Sequence, residues 1–208
     1  LPNWRKWDKV KWSRAPIGQG VSVTAMQLAS AYQAIANNGI RMQPYIVDYI
    51  TDREGNDLYR HVPTALGRPI SAKTAKEVRS MMLGVASPNG TARRAAIRGY
   101  SVAGKTGTAQ KVIDRHYSDT LFRATFCGII PASAPKLVVL VTLDFDEKRP
   151  YHQGGNSSGV VFRRLATGAL RYLMIPPDRP EELAEFDDDD EFDRIMEERA
   201  KKLGNESL

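Results

Sequence analysis

A single cysteine, Cys127, is all the thiol these 208 residues contain, so no disulfide can form within them. Imidazole is scarce too. His61, His116 and His152 stand far apart, and no Cys/His spacing of the zinc-binding kind occurs. No apolar run approaches the ~18–20 residues that cross a bilayer as a helix. No basic leader followed by an apolar stretch opens the chain. Basic residues are dispersed, with no long Lys/Arg block and no nucleic-acid-binding motif, so no nucleic-acid partner is expected. What is present is ordinary globular composition: 42% hydrophobic, 26% charged, with 16 glycines and 12 prolines. At roughly 100–200 residues per domain, that is one domain with a sizeable core plus an appendage.

The net charge of +6 hides a split. Residues 181–208 hold 12 acidic and 4 basic side chains, a balance of −8, and the other 180 residues carry +14. A basic body suits an anionic surface or an anionic substrate. The expected domains are residues 1–176 as the folded body and 177–208 as an acidic tail with a short helix. Four consecutive acids at Asp187 to Asp190, then Glu197 with Lys201 and Glu198 with Lys202 at helical spacing, read as a solvated appendage whose removal leaves stability nearly unchanged. The competing reading docks Phe186, Phe192, Ile195 and Met196 onto the body.

Trp4, Trp7 and Trp12 lie in a basic segment that leads as loop or partial strand to Ile17-Gly18-Gln19-Gly20. The opening Leu1-Pro2-Asn3-Trp4 lacks a methionine, and the expectation is a piece of something longer. Residues 24–37 carry an apolar stripe behind Thr24 and Gln27, a capping-box pair, and predict a helix stopped by Asn38-Gly39. A hairpin over residues 45–60, turning at Asp52-Arg53-Glu54-Gly55, should follow. A second helix capped by Ser71 should bury Ala75, Val78, Met82 and Val85. Residues 100–106, 124–130 and 137–144 read as strands, the last with the apolar run of a central strand. Residues 159–174 read as a helix ended by Pro176-Pro177. The order predicts an α+β fold, an antiparallel sheet packed against helices.

The segment from Gly99 to Gln110 carries the chemistry. Gly99 and Gly104-Lys105-Thr106 match the spacing of a phosphate-binding loop, but Gly107-Thr108-Ala109-Gln110 and an extended stretch follow where that loop needs a helix. A Lys-Thr-Gly-Thr string on a strand suits an acyl-transfer cleft instead. Lys105 supplies fixed positive charge, Thr106 and Thr108 supply hydroxyls, and Gly107 lets a substrate backbone lie close. Gln19, between two glycines, is a further candidate for the site. Cys127, in mid-strand, reads as a buried inert thiol. His152 reads as a surface-loop histidine able to line a cleft.

Lys105-Thr106-Gly107 resembles the third motif of the transpeptidase domain in class B penicillin-binding proteins, part of the penicillin-binding-protein and serine β-lactamase superfamily. Residues 18–29 resemble that family's loop and helix between its second and third motifs. Residues 126–144 and 155–173 resemble its last core strands and C-terminal helix. The resemblance covers about residues 11–173. It implies a peptidoglycan D,D-transpeptidase that cross-links stem peptides through a serine acyl-enzyme and is trapped by β-lactams.

By the same resemblance Lys105, Thr106 and Thr108 are catalytic, and Thr106, Gly107, Thr108 and Gln19 bind substrate. The Thr108 backbone N–H would be an oxyanion donor. The family's Ser-x-x-Lys and Ser-x-Asn motifs precede the Gly-Gln-Gly segment, so the nucleophile is expected upstream of Leu1. Ser133-Ala134-Pro135-Lys136 and Ser87-Pro88-Asn89 share those spellings but read as turns in the wrong order. No metal or cofactor is expected. The implied partners are stem peptide, β-lactams, the upstream part of the same domain, and cell-wall synthesis or divisome proteins. The implied place is the extracytoplasmic face of the bacterial inner membrane, with the anchor upstream. Two other readings stay open: a D,D-carboxypeptidase or β-lactamase of the same superfamily, and a non-catalytic penicillin-fold module binding a cell-wall or divisome partner.

Overall fold

A computed structural model describes residues 5, 7–18, 20–114, 116–147 and 152–205. A short helix α1 (Lys9–Arg14) precedes α2 (Ala25–Ala36). Local hydrogen bonds decide the start of α2. Gln27 N donates to Thr24 Oγ1 at 3.2 Å and Thr24 N donates to Gln27 Oε1 at 2.9 Å, the reciprocal capping box. Its stop is equally local: Asn38 and Gly39 take positive φ, and Gly39 N donates to the Ala34 carbonyl at 2.7 Å.

Two small antiparallel pairs follow, β1 (Arg41–Met42) with β4 (Ala65–Gly67) and β2 (Tyr49–Thr51) with β3 (Asp57–Arg60). The hairpin is shorter than expected, because residues 45–48 do not join a strand; the Tyr45 ring stacks on His61 instead. Helix α3 (Ala72–Met82) is capped by Ser71, whose hydroxyl accepts from Thr74 N.

The body is organised by β5 (Ala103–Ile113), β6 (His116–Ile130) and β7 (Leu137–Phe145), an antiparallel sheet in that order, with α4 (Ser158–Tyr172) against it. Side chains alternate across the sheet and give it two buried faces. On one, Phe126 and Val141 meet Phe162 of α4, with the rings of Phe126 and Phe162 edge-on at 4.8 Å. On the other, Ala103, Ile129 and Val138 meet Tyr32, Ile35, Val78 and Met82 of α2 and α3. The chain is α+β, helices covering both faces of an antiparallel sheet.

The expectation of a solvated tail is overturned. Helices α5 (Pro180–Glu185) and α6 (Asp189–Asn205) fold back on the body, and Phe186 and Phe192, 3% and 4% exposed, pack with Ala96. The acids that favour a solvated reading have partners on the body. Arg98 Nε lies 3.0 Å from Asp189, Arg163 Nη1 lies 2.6 Å from Asp193, and Gly99 N donates to Glu182 at 3.0 Å.

Ahead of these helices Asp178 ties three segments together. Its carboxylate accepts from Ser101 N at 2.7 Å, from the Ser101 hydroxyl, and from the Ser133 hydroxyl at 2.6 Å. Burial pushes this carboxyl up, but the bonds from Ser101 and Ser133 together outweigh it and hold it below the ordinary carboxylate value. A carboxyl depressed in the folded state stabilises the fold above its unfolded pKa of about 3.9, and that contribution is lost as pH falls through the lower folded value. Asp178→Asn is therefore expected to cost about 1–2 kcal/mol at pH 7, discounted for partial exposure. In thermal melts, the gap between wild type and variant should close below about pH 4; a gap constant with pH would show that the charge contributes nothing.

Candidate active site on the outer strand

β5 is the outer strand of its sheet, and among the described residues no strand pairs with its free edge. Such an edge offers backbone N–H and C=O groups to an extended peptide, which would add as a further strand. The register places Lys105 opposite Cys127 and Gly107 opposite Thr125 on one face, and Thr106 opposite Phe126 and Thr108 opposite Ala124 on the other. The start of the strand, Ala103-Gly104, is buried, Lys105, Gly107 and Thr108 are exposed and Thr106 is half-buried, and the far end at Val112-Ile113 is exposed. The buried start of the strand anchors it in the sheet immediately before its polar residues reach solvent.

Lys105 folds its ammonium onto the carbonyl of Thr106, Nζ to O 2.7 Å, and no carboxylate pairs with it among the described residues. Farther along, positive charge is consumed: Arg123 is held by Asp144 at 2.7 Å, and Lys111 stands 3.8 Å from the same carboxylate. Lys105 is accordingly the cation of this strand whose field stays available. The hydroxyls of Thr106 and Thr108 are each engaged. Thr106 Oγ1 lies 3.2 Å from Thr91 Oγ1, and Thr108 Oγ1 accepts from Gly154 N at 3.1 Å.

Thr91 and Gly154 escape a reading of the sequence. The glycine pair Gly154-Gly155 after the last strand is the one local sign that backbone comes close there. His152 is not a plain surface residue: half-buried, its ring lies 4.5 Å from that of Phe122 beside this loop. Gln19 lies outside the described residues.

Cys127, 1% exposed beneath Lys105's strand, has its thiol pushed up to about 12 by burial and is no nucleophile at neutral pH. The serines with motif-like spelling sit in turns. Ser133 donates to Asp178, and Ser87 donates to the Gly84 carbonyl at 2.7 Å. Among the described residues no group of three or more His, Cys, Asp or Glu could hold a metal ion.

The chain matches the model of the penicillin binding protein transpeptidase domain over residues 2–167. It is 32% identical to the probable peptidoglycan D,D-transpeptidase PenA of Neisseria meningitidis over 86% of this chain and 29% of that protein. It is 34% identical to penicillin-binding protein PbpB of Mycolicibacterium smegmatis, over 85% of this chain and 28% of that one. The chain therefore spans less than a third of the length of these two relatives. Among solved structures it is similar to the apo transpeptidase domain of penicillin-binding protein 3 from Burkholderia pseudomallei, with TM-score 0.73 and 38% identity over 86% of this chain and 51% of that one. It is also similar to penicillin-binding protein 3 of Mycobacterium tuberculosis complexed with ampicillin, with TM-score 0.75 and 33% identity over 85% of this chain and 41% of that one. An edge strand bearing Lys-Thr-Gly-Thr, on a sheet covered by helices in the arrangement of these structures, places the chain in the penicillin-binding-protein transpeptidase family.

Proposed function

We propose that this chain is the C-terminal part of the transpeptidase domain of a peptidoglycan D,D-transpeptidase, and that it supplies one wall of the acyl-transfer cleft. The observation that carries the reading is the exposed, unneutralised Lys105 next to two anchored threonine hydroxyls on a free strand edge. A serine from residues preceding Leu1 attacks the penultimate D-Ala carbonyl of a stem peptide and expels the terminal D-Ala. An amine of a neighbouring strand then takes the acyl group. The stem peptide aligns along β5, its carboxylate received by Thr106 and Thr108. Lys105 supplies the positive field, and the Thr108 backbone N–H forms part of the oxyanion hole. β-Lactams occupy the same wall, in keeping with the ampicillin-bound relative. The reaction runs on the outer side of the bacterial inner membrane, from an anchor upstream.

The test is covalent labelling with a fluorescent penicillin. The longer protein that carries this chain should be labelled at a serine outside residues 1–208, and the 208 residues alone should not be labelled. Label on Ser133 or Ser87 would overturn the assignment of the nucleophile. A longer protein that takes no label would favour a non-catalytic module. Release of free D-Ala without cross-linked dimer would mark a carboxypeptidase.

A further inference from the structure

We infer that Gly154 is a positioning residue, setting the Thr108 hydroxyl as a hydrogen-bond donor toward the cleft and so selecting ligands that carry a carboxylate there. The inference rests on the transpeptidase reading and adds a residue to it. A threonine hydroxyl has one proton to give and two lone pairs to receive. The Gly154 N–H occupies one of those lone pairs at 3.1 Å. The hydroxyl proton must then point elsewhere, and Thr108 is exposed, with no acceptor for that proton among the described residues. Thr106 differs: in its contact with Thr91 either oxygen can be the donor, so its polarity is not set.

The donor geometry depends on residue 154 having no side chain. A Cβ there would stand 2.5 Å from the Thr125 carbonyl oxygen and 2.6 Å from that of Gly107, the two residues paired across β5 and β6. The loop lies flat on the backbone of the site strand, closer than any other residue allows. It is also held from the other side. Gly159 N donates to Gly154 O at 2.8 Å, and Asn156 N and Ser157 N donate to Gln153 O at 3.0 and 3.1 Å, locking the loop into the first turn of α4. Gly154 thus links a helix packed against the sheet to a hydroxyl at the cleft, and fixes which way that hydroxyl is polarised.

The experiment compares acylation of the longer protein by benzylpenicillin and by its methyl ester, which lacks the anionic oxygen. Gly154→Ala should lower the acid-to-ester ratio of second-order rates by roughly tenfold, the scale of one charge-assisted hydrogen bond. Thr108→Val should lower it likewise, Thr108→Ser should retain it, and the double variant Gly154→Ala/Thr108→Val should lose no more than Thr108→Val alone. Equal slowing of acid and ester by Gly154→Ala would overturn the inference, since a purely structural defect does not distinguish the two probes. Where Gly154→Ala does not fold, exchange of the Gly154 amide proton decides: faster in Thr108→Val but not in Thr108→Ser supports the inference, and unchanged in both overturns it. A wild-type protein that neither probe acylates overturns the transpeptidase reading and this inference with it, whereas normal acylation with an unaltered ratio in Gly154→Ala overturns this inference alone.

Discussion

Alanine at Lys105 is expected to slow acylation of the longer protein by a β-lactam about 10²–10³-fold, the usual loss when one preorganised electrostatic donor is removed from a reaction centre. The fold should barely register the change. Lys105 is exposed, its bond to the Thr106 carbonyl is made within its own strand, and no carboxylate depends on it among the described residues. Stability should therefore stay within about 0.5 kcal/mol of wild type. Lys105→Arg separates charge from shape: it keeps the positive field but presents a broader fork that holds its proton permanently. Partial activity would assign the charge alone, and activity as low as alanine's would add proton transfer. Second-order acylation rates measured beside thermal melts check both variants against wild type. A folded Lys105→Ala protein with near-normal acylation would remove this strand from the mechanism.

Phe192→Ala is expected to be among the most destabilising single changes outside the sheet. A buried phenylalanine truncated to alanine costs about 3–5 kcal/mol. In a protein of this size each kcal/mol moves the melting temperature by roughly 2–4 °C, so a drop of about 10 °C should be seen. Phe192 is 4% exposed and meets the Phe186 ring edge-on at 5.3 Å over Ala96, with Ile195 and Met196 packed against the cluster. Deleting residues 181–208 should cost at least as much, since it removes both rings. An unchanged melting temperature after that deletion would restore the picture of a loose appendage.

The legible parts of this molecule are those decided by neighbours in sequence. Thr24 and Gln27 announce α2 because its first bonds close over three residues. Asn38-Gly39 announces its end for the same reason. Lys105-Thr106-Gly107-Thr108 is legible because four adjacent residues carry the whole pattern. Distance in sequence hides the rest. Thr91 and Gly154 sit 15 and 46 residues from the hydroxyls they meet. Arg98, which receives Asp189, is 91 residues away from it, so the acidic run by itself looks destined for water. Strand ends fail for another reason. β5 and β6 run on to Ile113 and from His116, well beyond the expected Thr106 and Ala124. That overhang is largely exposed on both sides, and a strand that buries little shows no alternation of apolar and polar residues to read.

The contact of α5 and α6 with the body changes what the uneven charge means. Arg98 and Arg163 take Asp189 and Asp193 as their anions, while Arg199 is paired with Glu185 within the segment itself. The acidic segment behaves as a covalently tethered counter-ion whose local concentration no free polyanion in dilute solution can match. Over this face two of the body's arginines are neutralised from within, while Lys105 on the outer strand keeps its charge.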